Sequence, residues 1–578
     1  MIGAEIIISF LQSKGVECAF GYPGGPVLVL YEAIYKAGFN HILAGHEQGA
    51  IHAAEGYAMV TGKTGVVIAT SGPGATNLVT GLADAKLDSV PLLAITGAVA
   101  RADTGKDAFQ EADITGVTEP VTKYNYLVMK EEDLIPSLEE AWKMTRTGRP
   151  GPVLVNIPKD ILSAEIKTDA GNLRPLKRHR PARIKAETRM DLILKALSEA
   201  QKPLLLVGGG AVTSSAAPAL LKELTTLLNL PCATTLMGKG AVAQNDPSYL
   251  GHIGMHGTVQ ANRALAECDL LLAVGSRFSD RVIGQPAAMR ERIKTIIHVD
   301  IDASEIGKVL QADIEVEDDA AIFLNLLLAD LKKMKEAAAS MNRLWQPWHN
   351  YLKQIQTAFE ETVESSIKPT EPLLASYTVR KVSDRMAGLN PVCVTDVGQH
   401  QMFAAQYFNV ESPRSFLTSG GLGTMGFGLP AAIGASYAVP DRPTVLFVGD
   451  GGFQMTIEEL GLLNRLNLPL LMVLLDNKTL GMVRQWQELF FDEHYSQSML
   501  PDNPDFLKIA EAYGISGRRV RRVTELEAGI DHFLAERKPY LLHVDIETLE
   551  KVFPMIPAGQ GPERIIMPDY ADPAELLL

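Results

Sequence analysis

The sequence is poor in cysteine. Four cysteines, Cys18, Cys232, Cys268 and Cys393, are spread over 578 residues, and no two stand in a C-x-x-C pair. That spacing argues against a disulfide framework and a zinc ribbon, and it suits a reducing compartment. Long apolar runs are missing too: none approaches the roughly 20 residues that span a bilayer. The opening Met1-Ile2-Gly3-Ala4-Glu5 lacks a basic leader segment and sets a glutamate ahead of the apolar stretch. A secretory leader is therefore not expected, and a cytoplasmic setting is. Positive charge is in deficit, with 54 Lys and Arg against 68 Asp and Glu, a net charge of −14. Such a chain repels phosphate backbones, so no nucleic-acid partner is expected, and no membrane partner either. Two basic clusters, Arg518-Arg519-Val520-Arg521-Arg522 and Lys177-Arg178-His179-Arg180, read as a solvated face and a linker.

What is present is one plan written three times. An apolar strand from Gly65 to Thr70 runs into Ser71-Gly72-Pro73-Gly74, a helical stretch follows, and Pro91 to Ile95 opens another strand. Leu204 to Val207 runs into Gly208-Gly209-Gly210, then a helix-period segment, then Leu230 to Ala233. Thr444 to Val448 runs into Gly449-Asp450-Gly451, then a helix from Ile457 to Arg465, then a strand from Pro469 to Leu475. Strand, glycine turn, helix, strand is the signature of a parallel sheet covered on both faces. The fold class expected is α/β, with three doubly wound parallel-sheet domains. Their boundaries are placed at 1–170, 189–335 and 373–578. A Pro- and Arg-rich linker at 171–188 and a charged helical linker at 336–372 separate them.

Glycine turns at strand ends put backbone N–H groups where an anion can approach, at the positive end of the next helix. Ligands of open α/β sheets sit beyond the carboxyl ends of the strands. Taken singly, each turn reads better as a tight turn with no ligand. The third domain offers more: Asp450 and Asn477 stand twenty-seven positions apart, enough for one helix and one strand. Adjacent parallel strands would bring both to one sheet edge. A carboxylate, an amide oxygen, a backbone carbonyl and phosphate oxygens make the hard-oxygen shell that Mg²⁺ prefers. An Asp capping a helix and an Asn in a turn fit the spacing equally well.

Gly449-Asp450-Gly451 followed at this distance by Asp476-Asn477 resembles the thiamin-diphosphate fingerprint, which runs from Gly-Asp-Gly to Asn-Asn. The first Asn of that pair is Asp476 here, and the second, the metal-ligand position, is Asn477. The resemblance implies Asp450, Asn477 and the carbonyl of Thr479 as Mg²⁺ ligands. Gly21-Tyr22-Pro23-Gly24-Gly25 and His46-Glu47-Gln48-Gly49-Ala50 resemble the pyrimidine-binding domain of the same enzymes. His46 and His52 lack the H-E-x-x-H spacing, so no zinc site is read there. In thiamin enzymes the thiazolium C2 must lose a proton with no strong base beside it. A carboxylic acid hydrogen-bonded to the pyrimidine N1′ favours the imino tautomer, whose exocyclic nitrogen takes that proton. The cofactor supplies the carbanion chemistry, and the protein orients and tunes it.

Further motifs narrow the family. Asp107 to Glu111, Arg149 to Val153, Ile157 to Asp160, Gly254 to Gly257, Gly275 to Val282, Asp396 to Met402 and Gly420 to Gly428 resemble acetohydroxyacid synthase (acetolactate synthase) large catalytic subunits. The run from Leu474 to Gln487 is most similar to the bacterial isozyme II branch. The resemblance covers nearly the whole chain, in the family's order.

It implies that pyruvate is decarboxylated on thiamin diphosphate. The two-carbon hydroxyethyl unit then passes to pyruvate or 2-ketobutyrate, giving 2-acetolactate or 2-aceto-2-hydroxybutyrate in branched-chain amino acid (valine, leucine, isoleucine) biosynthesis. Glu47 would activate thiamin, and Met425 would be the apolar wedge that bends it. The catalytic set would further comprise Gly25, with Phe109, Gln110 and Lys159 from the partner chain, and Arg277 and Trp486 shaping the acceptor site. Pro23, Val397, Gly398, Gln399, His400, Ser419, Gly420, Gly423, Gly449, Gly451, Gly452, Leu480, Gly481 and Met482 would hold the thiamin cofactor. FAD, with a structural role, would lie on the middle domain at Gly208, Gly209, Gly210, Met255, His256, Gly257, Arg277, Asp300 and Asp319. A homodimer or tetramer with active sites at the subunit interface is implied, with a small ACT-type regulatory subunit as a possible partner. The sequence departs from the family at Ala98 and Ala100, where Gln and Pro are usual, at Pro26, at Ile283, and at Asp318, where a glycine is usual and a larger residue is expected to strain the turn.

Overall fold

The computed structural model describes residues 1–166 and 185–568. The basic stretch 177–180, most of the linker at 171–188 and the last ten residues of the third domain as bounded above, 569–578, lie outside the described residues. The described chain builds three six-stranded sheets, each paired in parallel throughout.

The first sheet holds β1 (Ala19–Gly21), β2 (His41–Leu43), β3 (Gly65–Ala69), β4 (Leu92–Ala98), β5 (Tyr124–Leu127) and β6 (Pro152–Pro158), in the order β2-β1-β3-β4-β6-β5. The second holds β7 (Pro203–Val207), β8 (Cys232–Thr234), β9 (Tyr249–His252), β10 (Leu270–Val274), β11 (Thr295–Asp300) and β12 (Ile314–Glu317), in the order β12-β11-β10-β7-β8-β9. The third holds β13 (Val392–Thr395), β14 (Phe416–Leu417), β15 (Thr444–Gly449), β16 (Leu470–Asp476), β17 (Ser516–Val520) and β18 (Tyr540–Asp545), in the order β14-β13-β15-β16-β18-β17. The first and third sheets thus share one strand order. Central strands such as β7, β10 and β16 are buried along their whole length. Their unbroken Leu and Val runs follow from helices covering both faces.

The first and third units share one apolar core. At its centre the helix Glu47–Thr61 crosses the helix Gly428–Ala438. Both are rich in Ala and Gly, and the crossing shows why. A Cβ at Gly56 would stand 2.0 Å from the Ala431 carbonyl oxygen, and one at Gly434 would stand 1.9 Å from that of Ala53. Only glycine lets the backbones approach this closely.

The middle sheet has a core on each face. The helix Lys335–Ser366 falls in the segment expected to link the second and third units. Its first half packs into those cores through Met341, Trp345, Trp348 and Leu352. The Trp345 and Trp348 Nε1–H groups donate to the carbonyls of Ala200 at 2.9 Å and Pro203 at 3.1 Å. The helix is therefore part of the middle unit's packing. Arg518 and Arg519 are exposed on the edge strand β17, where charge discourages pairing with other chains. No helix among the described residues is long and apolar enough to cross a membrane.

Candidate active site

The register of the third sheet decides where its functional groups meet. β15 pairs with β16 from Thr444 with Leu470 to Gly449 with Leu475, so Asp450 and Asn477 leave neighbouring strands at the same edge. They line a cleft of about 530 Å³ together with Val397, Gly398, Gln399, His400, Met425, Gly449, Gly451, Gly452, Thr479, Leu480, Gly481 and Met482. Four helices begin on it. The N–H groups that open Ala375–Arg385 are taken by the Glu550 carboxylate, but Gln399–Tyr407, Asp450–Gln454 and Gly481–Phe490 have no side chain capping their N-termini. Unpaired N–H groups and the positive ends of the helix dipoles therefore face one hollow, the setting that a phosphate needs.

The cleft's side chains fit a cation and a diphosphate. Asp450, Asn477 and Thr479 are all buried. Burial pushes the Asp450 carboxyl up to about 7, against the Asn503 hydrogen bond and with the Asp476 charge. A divalent cation would relieve that cost. Lys478 sits at φ +58° between Asn477 and Thr479, a left-handed kink of the kind found at ligand sites. Thr479 N–H donates to Asn477 Oδ1 at 3.0 Å. His400 Nε2 is buried without a partner, and burial pushes this imidazole down to about 3, leaving a neutral ring free to bond a phosphate oxygen. A Cβ at Gly481 would stand 2.2 Å from Gln399 Oε1 and 2.6 Å from Asn477 Nδ2, so glycine is required beside the ligand amide. Asp476 is engaged elsewhere: its Oδ2 is 2.8 Å from His543 Nε2. Burial pushes its carboxyl up, but His543 outweighs this and the net shift is down.

Glu47 stands apart. It opens the helix Glu47–Thr61 just past β2 and is 9 % exposed. Asn77 Nδ2 donates to its Oε2 at 3.0 Å and lies 3.2 Å from His46 Nε2. A Cβ at Gly74 would come 2.9 Å from its Oε1. The preceding turn is held by the buried carboxylate of Glu459, which accepts from Gly45 and His46 N–H at 3.0 Å. Pro23 and Gly25 follow β1, Gln110 packs against Gly72, and Lys159 follows β6. These first-unit residues therefore gather at the carboxyl ends of the first sheet's strands, with Phe109 89 % exposed. None of them lines the third unit's cleft, which is formed by residues 375–546 alone.

Met425 reaches that cleft from the loop after β14. The loop is pinned from both units. Ser419 Oγ donates to Asp84 at 2.5 Å, Gly420 N–H to Asp88 at 2.8 Å, and Gly426 and Gly428 N–H to Asp396 at 3.0 and 2.8 Å. Gly423, at φ +75°, supplies a left-handed turn. Trp486 lies under the Arg281 guanidinium, 5.7 Å from ring centroid to carbon. Arg277 faces Gly421 and the Asp88 carboxylate.

A second hollow, about 810 Å³, opens at the ends of β7 and β11. Gly210, Asp300, Asp318 and Asp319 line it, with Arg146 from the first unit and Arg414 from the third. Acids at strand ends suit ribose hydroxyls, and paired guanidinium groups suit a diphosphate, so the residues fit a dinucleotide. Gly208 and Gly209 do not line it. Gly208 lets the backbone of Gly275 approach, where a Cβ would be 2.0 Å from the carbonyl oxygen. Arg277, Met255, His256 and Gly257 also lie outside its lining. The strain expected at Asp318 is not found: it is not among the residues with positive φ. Its carboxylate instead accepts from the N–H of Asp319 at 3.0 Å. Asp319 caps the helix Ala320–Lys333 and accepts from Ser214 Oγ at 2.8 Å.

Sequence reasoning missed Asn503, whose amide bridges Asp450 at 2.6 Å and Asp476 at 3.1 Å. It also missed Asn77, Glu459 and the carboxylates that pin the Met425 loop. No local pattern marks them.

Three parallel α/β units with a diphosphate cleft at the third sheet's switch region define a thiamin-diphosphate-dependent enzyme. Family models agree along the chain: the thiamine pyrophosphate enzyme N-terminal TPP binding domain matches residues 1–117, the central domain 190–327 and the C-terminal TPP binding domain 396–544. The chain is 46 % identical to the acetolactate synthase isozyme 2 large subunit of Escherichia coli, covering 98 % of this chain and 99 % of that protein. It is 41 % identical to the acetolactate synthase large subunit of Lactococcus lactis, over 99 % and 97 %. Identity to the mitochondrial acetolactate synthase catalytic subunit of Saccharomyces cerevisiae is 40 %, over 98 % and 84 %. The chain belongs to the acetolactate synthase large-subunit family.

Proposed function

We propose that this chain is the catalytic subunit of an acetolactate synthase. It takes the acyl carbons of pyruvate after loss of CO₂ and joins them to pyruvate or 2-ketobutyrate, giving 2-acetolactate or 2-aceto-2-hydroxybutyrate. The observation that carries this reading is the cleft, where three uncapped helix starts meet Asp450, Asn477 and Thr479. Residues 1–170 bind the pyrimidine, 189–335 bind FAD, and 373–578 bind the diphosphate.

Thiamin diphosphate, when bound, supplies the electron sink for decarboxylation. Asp450, Asn477 and the Thr479 carbonyl hold Mg²⁺, which screens the diphosphate charge. His400 and the N–H groups of the helix Gly481–Phe490 bond the phosphate oxygens. Met425, on the cleft wall, would supply the apolar wedge against the cofactor. Glu47 holds a proton at the pyrimidine N1′, with Asn77 fixing its second oxygen. Arg277 and Trp486 shape the acceptor site, where Trp486 favours 2-ketobutyrate over a second pyruvate. FAD in the second hollow has a structural role, through Asp300, Asp319 and Gly210.

Glu47 and the cleft lie in different places on one chain. A second copy therefore completes each site, bringing Glu47, Gly25, Phe109, Gln110 and Lys159 over the partner's cleft. A homodimer is the smallest active unit, and a small regulatory subunit is a further partner.

The test is product formation from pyruvate alone and from pyruvate plus 2-ketobutyrate, with thiamin diphosphate, Mg²⁺ and FAD present. The mixed product should dominate, and Glu47→Gln should lower the rate by about 10²–10⁴-fold. No acetolactate from protein that holds thiamin diphosphate would overturn the reading.

A further inference from the structure

The helix Gly481–Phe490 opens on the diphosphate cleft and also grips a distant stretch of chain. Gln485, wholly buried, lies between the two. Its Oε1 accepts from Gln399 Nε2 at 2.8 Å and from Val552 N–H at 2.9 Å. Its Nε2 donates to the Val552 carbonyl at 3.2 Å and lies 3.6 Å from Met555 Sδ. Gln399 donates in addition to the Glu550 carbonyl at 3.0 Å, and its own Oε1 accepts from Asn477 Nδ2 at 3.3 Å. Arg484, also buried, donates to the same Glu550 carbonyl at 3.1 Å. The Glu550 carboxylate accepts from the N–H groups of Ala375 and Ser376, at the start of a helix whose first residue lines the cleft.

The same stretch then crosses to the middle unit. Ile556 N–H donates to the Met255 carbonyl at 2.8 Å. Gln406 Nε2 donates to the carbonyls of Phe553 at 3.1 Å and His256 at 3.0 Å. Residues 550–556 thus form a strap. One end is tied through two side-chain amides to Asn477, and the other is tied to the loop at Met255 and His256.

We propose that Gln485 is a positioning residue that couples this strap to the ligand amide of Asn477, so that filling the cleft and seating the strap on the middle unit are one equilibrium. A buried amide left unpaired is costly, so Gln485 does not release the strap and keep Gln399 in place. Linkage makes the effect reciprocal: what tightens the strap tightens the cleft. This inference rests on the reading of Asn477 as a cation ligand.

The test is hydrogen exchange of the full chain at residues 550–556, with and without thiamin diphosphate and Mg²⁺, beside a binding titration with the same pair. In the unaltered chain, binding should slow exchange there at least about tenfold. Gln485→Leu should abolish that protection and raise the half-saturating concentration about tenfold or more. Gln485→Glu keeps the two acceptor bonds but sets an oxygen against the Val552 carbonyl, so it should restore only part of the affinity. Gln406→Leu loosens the strap at its far end, away from the cleft, and should weaken binding severalfold; it carries the test if Gln485→Leu does not fold. Unchanged affinity in the folded Leu variants, or exchange at 550–556 indifferent to binding in the unaltered chain, would overturn the coupling alone. No binding by the unaltered chain would overturn the proposed function and the coupling with it.

Discussion

The first and third units share a strand order and meet across a pair of topologically equivalent helices, yet they carry different chemistry at the same strand ends. After β15 the third unit has Asp450, where the first has Ser71 and Gly72 after β3. After β16 it has Asn477, where β4 ends in Gly97 and Ala98. The first unit in turn has Glu47 after β2, where the third has the Met425 loop after β14. Topology decides that these ends converge. A few oxygen donors then decide that one edge takes a cation and a diphosphate while the other presents a proton-holding acid.

The contrast can be broken at the cleft with the largest effect. Asp450→Asn removes the carboxylate that stands after β15 where the first unit has Ser71 and Gly72 after β3. Affinity for thiamin diphosphate with Mg²⁺, read by calorimetric titration, should fall by about a hundredfold. The melting temperature should not fall, because a buried carboxylate beside Asp476 has gone.

The helix crossing comes next. Gly56→Val drives a side chain into the Ala431 carbonyl. It should cost about 1–3 kcal/mol, read as a lower midpoint in denaturant.

Glu459 gives a smaller, pH-dependent effect. Burial pushes its carboxyl up to about 7, from an ordinary 4.5, against the Gly45 and His46 hydrogen bonds. The folded chain therefore binds a proton more tightly than the unfolded one. This group's contribution is fully present below about 4.5 and is lost as pH rises through about 7, as linkage requires. Glu459→Gln should flatten stability against pH across that window relative to the unaltered chain, and equal slopes would contradict the assignment. The smallest effect is expected at Asp318. Because its backbone is not left-handed, Asp318→Gly should stabilise nothing and should cost up to about 1 kcal/mol in stability.

Much of this was legible in the sequence. The Gly449-Asp450-Gly451 turn and Asn477 are separated by one helix and one strand, so parallel pairing had to bring them together, as the β15–β16 register does. Asn503, Glu459 and Gln485 were not legible as positioning groups. Their contacts span 53, 414 and 67 positions, and no local period carries such pairings. The helical character of 336–372 was visible, but which sheet the tryptophans of the helix Lys335–Ser366 would meet was not. At Asp318 the residue type suggested strain, whereas strain depends on φ.

The central claim is that each active site takes its cleft from one chain and Glu47 from another. Mixing Glu47→Gln chains with Asp450→Asn chains, after dissociation and reassembly, tests it most directly, at a thiamin diphosphate concentration that fills the unaltered cleft and leaves the altered one empty. Random pairing makes half of the dimers mixed, each with one intact site, so about a quarter of the unaltered activity should return. If both halves of a site came from one chain, every site in the mixture would stay broken, and no return of activity would contradict the claim.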